Sequence, residues 1–128
     1  MTAVSAELVI YVQRLESMRA FYVACLGLAA VEEDETTATL RSEGLTVHLV
    51  KVPAAVAASI ELSDPPRRWA ETPLKAAFEV TGIETLRGLI AELGGRLDPP
   101  ERGHSFGGYS RLDAVDPEGN VIQLLEAS

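Results

Sequence analysis

The sequence repeats itself. A shift of 68 residues lays Val12 on Val80, Glu16 on Glu84, Ser17 on Thr85, Arg19 on Arg87 and Gly27 on Gly95. Phe21 and Tyr22 then fall on Leu89 and Ile90. Towards the end of each half the shift becomes 75, laying Gly44 on Gly119, Val47 on Ile122 and Leu49 on Leu124. The change of seven is assigned to loops. Halves of about 60 residues bury too little surface to be stable alone. Two sheets that each need a cover form one domain together. The 128 residues therefore read as a single domain. Its modules run over about 5–52 and 74–127, with a linker at 53–73.

Each half has the same order of elements. Glu7–Gln13 is rich in β-branched and aromatic residues and reads as a strand. Ser17 is the expected cap of a helix carrying Met18, Phe21, Tyr22 and Cys25 at helical spacing, stopped by Gly27. Strands are expected at Ala29–Asp34, Thr37–Arg41 and Leu45–Val52, the last two joined by Ser42-Glu43-Gly44. In the second half, Lys75–Thr81 reads as a strand and Glu84–Leu93 as a helix ended by Gly94-Gly95. Arg96–Asp98 is a short strand and Pro99–Gly108 a loop. Tyr109–Val115 and Asn120–Glu126 are strands around the turn Asp116-Pro117-Glu118-Gly119. The class is α+β, with two βαβββ modules. The linker holds Arg67-Arg68 and the single tryptophan, Trp69, after an Ala-rich start that suits a short helical turn.

Side chains alternate across a strand. Leu8, Ile10 and Val12 share one face of the first strand, expected under the helix; Glu7, Val9, Tyr11 and Gln13 share the other. Ala76, Phe78 and Val80 oppose Lys75, Ala77 and Glu79. Val47 and Leu49 oppose Thr46, His48 and Val50. Ile122 and Leu124 oppose Val121, Gln123 and Leu125. Four strands thus carry one apolar and one mixed face. Mixed faces that curve together form a cup holding Glu7, Tyr11, His48, Lys75, Glu79 and Gln123, a concave surface of the kind small molecules occupy. The plainer alternative is that these faces simply meet solvent. The cup is preferred because the repeat puts these polar residues at equivalent positions.

Three stretches carry a family resemblance. They are Val12-Gln-Arg-Leu-Glu-Ser-Met-Arg-Ala-Phe-Tyr22, Leu26-Gly-Leu28 and Asp116-Pro-Glu-Gly-Asn-Val-Ile-Gln-Leu-Leu125. Together they resemble the vicinal oxygen chelate superfamily of glyoxalases, bleomycin-resistance proteins, extradiol dioxygenases and fosfomycin-resistance proteins. The resemblance spans nearly the whole chain. It implies the glyoxalase/bleomycin-resistance fold, a cupped mixed sheet, and a homodimer. It does not imply one activity. Metal-dependent members take a ligand from the first and last strand of each module, positions occupied here by Glu7, His48, Lys75 and Gln123. Glu7, His48 and Gln123 suit a divalent metal. Lys75 does not, because an ammonium cannot coordinate and repels a cation by roughly 4 kcal/mol per unit charge at 4 Å. The expectation is a cup without a cofactor, with Lys75 paired to Glu7 where a metal would sit.

Composition narrows the partners. Nineteen acidic against 11 basic residues give a net charge of -8, which disfavours a nucleic-acid backbone as partner. One cysteine forms no internal disulfide, and a reducing cytoplasm fits. No secretory signal is evident and no run of 18 apolar residues exists, so no membrane role is expected. Tyr11, Trp69, Phe106 and Tyr109 are the groups available for stacking on a ligand. Gly103-His-Ser-Phe-Gly107 matches a nucleophile elbow by chance, since that motif needs a strand before the serine and a helix after it. It reads as a flexible loop whose His104, Ser105 and Phe106 either touch ligand as a lid or meet solvent. Cys25 reads as a small core residue.

Three functions follow in order of preference. The first is a metal-independent small-molecule binding protein of the bleomycin-resistance kind. The second is a lyase or dioxygenase using metal on Glu7, His48 and Gln123. The third is a metal-free isomerase or lyase, with Glu7 or Glu79 taking a proton and His48 or Lys75 stabilising the oxyanion.

Overall fold

A computed structural model describes residues 6–57 and 73–128. Trp69, Arg67, Arg68 and most of the expected linker lie outside the described residues. The chain divides into two compact units, Met1–Glu61 and Leu62–Ser128, which coincide with the halves of the repeat.

The first unit runs β1 (Glu7–Val12), α1 (Leu15–Leu26), β2 (Ala29–Glu33), β3 (Thr37–Ser42), β4 (Leu45–Lys51) and a single turn, α2 (Ala54–Ala57). Its four strands lie in the order β1-β4-β3-β2. β1 is parallel to β4, and the other pairs are antiparallel. Alternation decides what is buried. Val47, Leu49, Leu40 and Ala38 have almost no exposure, and α1 packs on β3 and β4 with Met18, Phe21, Tyr22 and Cys25. The rings of Phe21 and Tyr22 meet edge to face, centroids 5.2 Å apart. Burial pushes the Cys25 thiol up to about 11, which leaves it neutral as a core group.

Ser17 does not cap α1. The helix starts two residues earlier, at Leu15, with Arg14 at the cap position and no side-chain cap bond. The first turn is closed by backbone instead, Met18 N–H donating to Arg14 C=O at 3.0 Å. Gly27 ends the helix at φ 68°, a left-handed conformation that costs glycine little.

The second unit runs β5 (Ala76–Glu79), a 3₁₀ turn (Glu84–Leu86) leading into α3 (Arg87–Glu92), β6 (Arg96–Leu97), a 3₁₀ turn (Pro100–Arg102), β7 (His104–Phe106), β8 (Tyr109–Val115) and β9 (Val121–Ala127). Its order β5-β9-β8-β6 repeats that of the first unit, with β5 parallel to β9. Phe78, Leu112, Ala114, Ile122 and Leu124 are buried on one face, together with Ile90. These are mixed sheets of four and five strands, an α+β architecture.

The expected loop at Pro99–Gly108 contains β7, which pairs with β8 through Phe106 opposite Tyr109. Gly107 and Gly108 form the two-residue hairpin between them at φ 63° and 84°. Positive φ at both positions is what a twist-matched tight hairpin requires, and Gly-Gly meets it. The added strand also accounts for most of the change in repeat offset. The registers put Thr39 opposite His48 and Asp113 opposite Gln123. Thr39 and Asp113 are therefore equivalent at a shift of 74. Six added residues precede β8, where the 3₁₀ turn and β7 lie, and one lies in the turn before β9. Among the described helices, none is long and apolar enough to cross a membrane.

Candidate functional site

The mixed face of the first sheet carries a hydrogen-bonded chain across three neighbouring strands. β1 brings Glu7 beside β4, and β3 brings Thr39 directly opposite His48. His48 Nε2 lies 3.1 Å from Glu7 Oε2. His48 Nδ1 lies 3.0 Å from Thr39 Oγ1. An ionised carboxylate only accepts, so in the neutral imidazole Nε2 carries the hydrogen. Nδ1 is then an acceptor, and the Thr39 hydroxyl donates to it. The imidazole is held at both ends in one tautomer, which suits an acid–base group. Tyr11 stands on the same face and is 68% exposed.

The equivalent positions of the second sheet hold different chemistry. Lys75 Nζ donates to Asp113 Oδ2 at 2.8 Å. Gln123 Nε2 reaches Asp113 Oδ1 at 3.5 Å, at the limit of a hydrogen bond. Gln123 Oε1 accepts from Arg111 Nη1 at 2.9 Å. Glu79 accepts a hydrogen bond from the Tyr109 hydroxyl, and this bond first, then the Glu79 charge, holds the phenol above its ordinary pKa. The Arg111 guanidinium carbon sits 3.6 Å from the Phe106 ring centroid and 5.7 Å from that of Tyr109. His104 stacks on Phe106 at 5.5 Å with the ring planes 9° apart.

The expected residues divide between the two units. Glu7, Tyr11 and His48 belong to the first sheet; Glu79, Gln123, Phe106 and Tyr109 belong to the second, with Lys75 just before its strand β5. Trp69 lies outside the described residues. Lys75, expected to pair with Glu7, has its ion partner within its own sheet, because Asp113 projects beside it from β8. His104, Ser105 and Phe106 are strand residues rather than loop, for the hairpin reason above. Sequence reasoning missed Thr39, Asp113 and Arg111, the three that tie the candidates together.

These donors fit a divalent metal poorly. The oxygen is the only atom Gln123 could offer a metal, and it already accepts from the Arg111 guanidinium, a cation that would repel the ion. Lys75, at another of the expected ligand positions, is a cation held by a carboxylate. Among the described residues, no group of three His, Cys, Asp or Glu side chains could hold a metal ion.

A cleft of about 600 Å³ lies elsewhere in the first unit, beside the start of α1, lined by Gln13, Arg14, Ser17, Asp34 and Lys51 among others. Residues of both charges line it, among them the Arg19–Glu33 ion pair at 3.2 Å. The sheet faces, which carry the hydrogen-bonded Glu7–His48–Thr39 chain, are the better candidate.

A model of the Glyoxalase/Bleomycin resistance protein/Dioxygenase superfamily matches residues 5–124. Curated proteins give no significant match. Among solved structures, a glyoxalase/bleomycin resistance protein/dioxygenase family enzyme from Burkholderia phytofirmans PsJN is similar at 17% identity and a TM-score of 0.71, covering 95% of this chain and 97% of that one. The fosfomycin resistance protein FosX from Listeria monocytogenes is similar at 16% identity and a TM-score of 0.70, with 100% and 94% covered. The bleomycin-binding protein of Streptomyces verticillus, in complex with copper(II)-bleomycin, is similar at 18% identity and a TM-score of 0.61, with 100% and 99% covered. At these identities the likeness is one of fold.

Proposed function

Because the chain belongs to the Glyoxalase/Bleomycin resistance protein/Dioxygenase superfamily, we propose that it is a metal-independent protein that binds a small molecule on the mixed faces of its sheets. The observation that carries this is the Arg111–Gln123 bond at 2.9 Å. It sets a guanidinium against the oxygen through which Gln123 would bind a metal, so an ion there would face a second cation, while an organic ligand meets a polar surface. The Lys75–Asp113 pair at 2.8 Å supports it, because a divalent ion there would have to displace or face an ammonium. A bleomycin-binding protein among the structural neighbours is consistent with a binding role. The protein is read as a homodimer of a reducing cytoplasm, with neither nucleic acid nor membrane as partner.

Metal analysis of protein purified without chelator, paired with thermal-shift screening of small organic molecules, tests this. Metal well below one equivalent, with melting-temperature increases from organic ligands alone, is the expected result. One tightly bound divalent ion per chain overturns the metal-independent reading.

The Glu7–His48–Thr39 chain favours a second reading, a metal-free isomerase or lyase. His48 would move the proton, and Glu7 and Thr39 would hold its tautomer. Turnover of any ligand found in the screen, lost in His48→Ala with binding retained, distinguishes this from simple binding.

A further inference from the structure

We propose that Thr39, His48 and Glu7 form a nucleophile–base–acid triad, in which Thr39 Oγ1 takes the acyl group of a small, uncharged aryl ester. The inference rests on the metal-independent reading, because an ion on Glu7 and His48 would break the triad. It goes beyond the isomerase reading, in which Thr39 only holds the ring. The tautomer carries it. Nε2 keeps its hydrogen for the Glu7 carboxylate at 3.1 Å, so Nδ1 is left as the base, and the Thr39 hydroxyl 3.0 Å away donates to it. A weak hydroxyl nucleophile is activated by this order of groups, a base on the hydroxyl and a third group orienting the base. Among the described residues nothing donates to Thr39 Oγ1, so its lone pairs are free for attack.

Strand register places the surroundings. One row across the sheet runs Val9, His48, Thr39, Glu32. With the acyl carbon on Thr39 and the leaving group over His48, that group lies next to Val9 and near Tyr11, both exposed. An aryl leaving group covers this apolar surface. Glu32, exposed on the other side of Thr39, disfavours an acyl group that carries negative charge. Arg41 shares the face and makes no ion pair among the described residues; its Nε donates to Thr46 Oγ1 at 3.4 Å. It stands two residues from Thr39, about 7 Å along the strand, within reach of the oxyanion that develops on the carbonyl. In the reaction, Thr39 Oγ1 bonds to the acyl carbon as its proton passes to Nδ1. The bond to the aryl oxygen breaks, and that oxygen takes the proton from Nδ1. Water, deprotonated by the same nitrogen, then releases the acid and restores Thr39.

Incubating the full-length protein with p-nitrophenyl acetate tests this, with nitrophenol release giving the rate and mass spectrometry after acid quenching locating any acetyl group. Turnover is expected, with the acetyl group on Thr39. Thr39→Val keeps the shape and loses the hydroxyl, and should lower the rate about 10-fold or more. Thr39→Ser restores a hydroxyl and should keep the activity. The site of acetylation in the wild-type protein answers the question if the valine variant does not fold. A rate unchanged in Thr39→Val means that the imidazole acts on the ester by itself, and overturns the inference. So does an acetyl group found only on His48, on lysines or on the N-terminus. No turnover at all removes this inference and leaves the metal-independent reading standing. One tightly bound divalent ion per chain removes both.

Discussion

The two sheets share one backbone grid and fill it with opposite chemistry. First strand, last strand and the strand beside it carry Glu7, His48 and Thr39 in one unit; in the other, Lys75, the residue just before β5, stands with Gln123 and Asp113. The first set is a carboxylate, an imidazole and a hydroxyl joined end to end at 3.1 and 3.0 Å. The second is an ammonium held at 2.8 Å by a carboxylate, with an amide beside them. The buried sides of the same strands are nearly interchangeable, Val47 and Leu49 answering to Ile122 and Leu124. Packing needs only apolar volume at the right alternation, so both copies keep it. The outer face is free of that demand, and there the copies diverge into an acid–base chain and an ion-paired, aromatic surface.

Several substitutions would break or sharpen this comparison. The largest effect is expected where the copies differ in burial. Phe21→Ala removes a ring with no exposure and should cost about 3–5 kcal/mol in denaturant unfolding. Its repeat partner Leu89 is only half-buried, and Leu89→Ala should cost roughly half of that or less. Equal losses would mean that the helices of the two units contribute alike.

Next come the turns. Asp116 is fully buried and accepts from Glu118 N, Asn120 N and Asn120 Nδ2 at 2.9, 3.0 and 2.9 Å. Asp116→Ala orphans these donors and should cost about 2–3 kcal/mol. The corresponding turn of the first unit is exposed at Glu43, and Glu43→Ala should stay within about 0.5 kcal/mol of wild type.

Smaller still is the ion pair. Lys75 and Asp113 side chains are 40% and 14% exposed, so Lys75→Met should change stability by about 1 kcal/mol or less. The subtlest effect is on the first sheet. Glu7→Gln replaces an obligatory acceptor by an amide that can also donate. The His48 ring nitrogens should then move, in ¹⁵N NMR, from a single Nε2–H pattern towards a mixture of tautomers. An unchanged pattern would mean that Thr39, rather than Glu7, sets the tautomer.

Much of this was legible residue by residue. Alternation in β1 and β4 put Glu7 and His48 on one face before any coordinates, and the shift of 68 tied Lys75 to Glu7. Thr39 could have been counted too. A two-residue turn at Glu43-Gly44 pairs Ser42 with Leu45, and stepping back three residues on each side reaches Thr39 and His48. Gly107-Gly108 was a hairpin signal hidden inside what looked like loop composition. Ser17 misled because a polar residue near a helix start suits a cap, while the backbone closed the first turn from Arg14. Arg111 was not countable in the same way. Its partners come from β9 and from the carbonyl and ring of Phe106, and the five-residue turn before β9 does not announce its register.

The sequence by itself determined the doubled βαβββ plan, the apolar face of each strand and the family, because periodicity and repetition are written in residue order. It also determined that one of the four family ligand positions carries a cation. Only the tertiary structure decided which polar groups join. Lys75 took Asp113, Gln123 gave its oxygen to Arg111, and His48 was held from both sides. The reason is register. A hydrogen bond forms or fails within a few tenths of an ångström, and that precision arises from strand pairing across residues as far apart as Glu7 and His48, not from the local pattern of either.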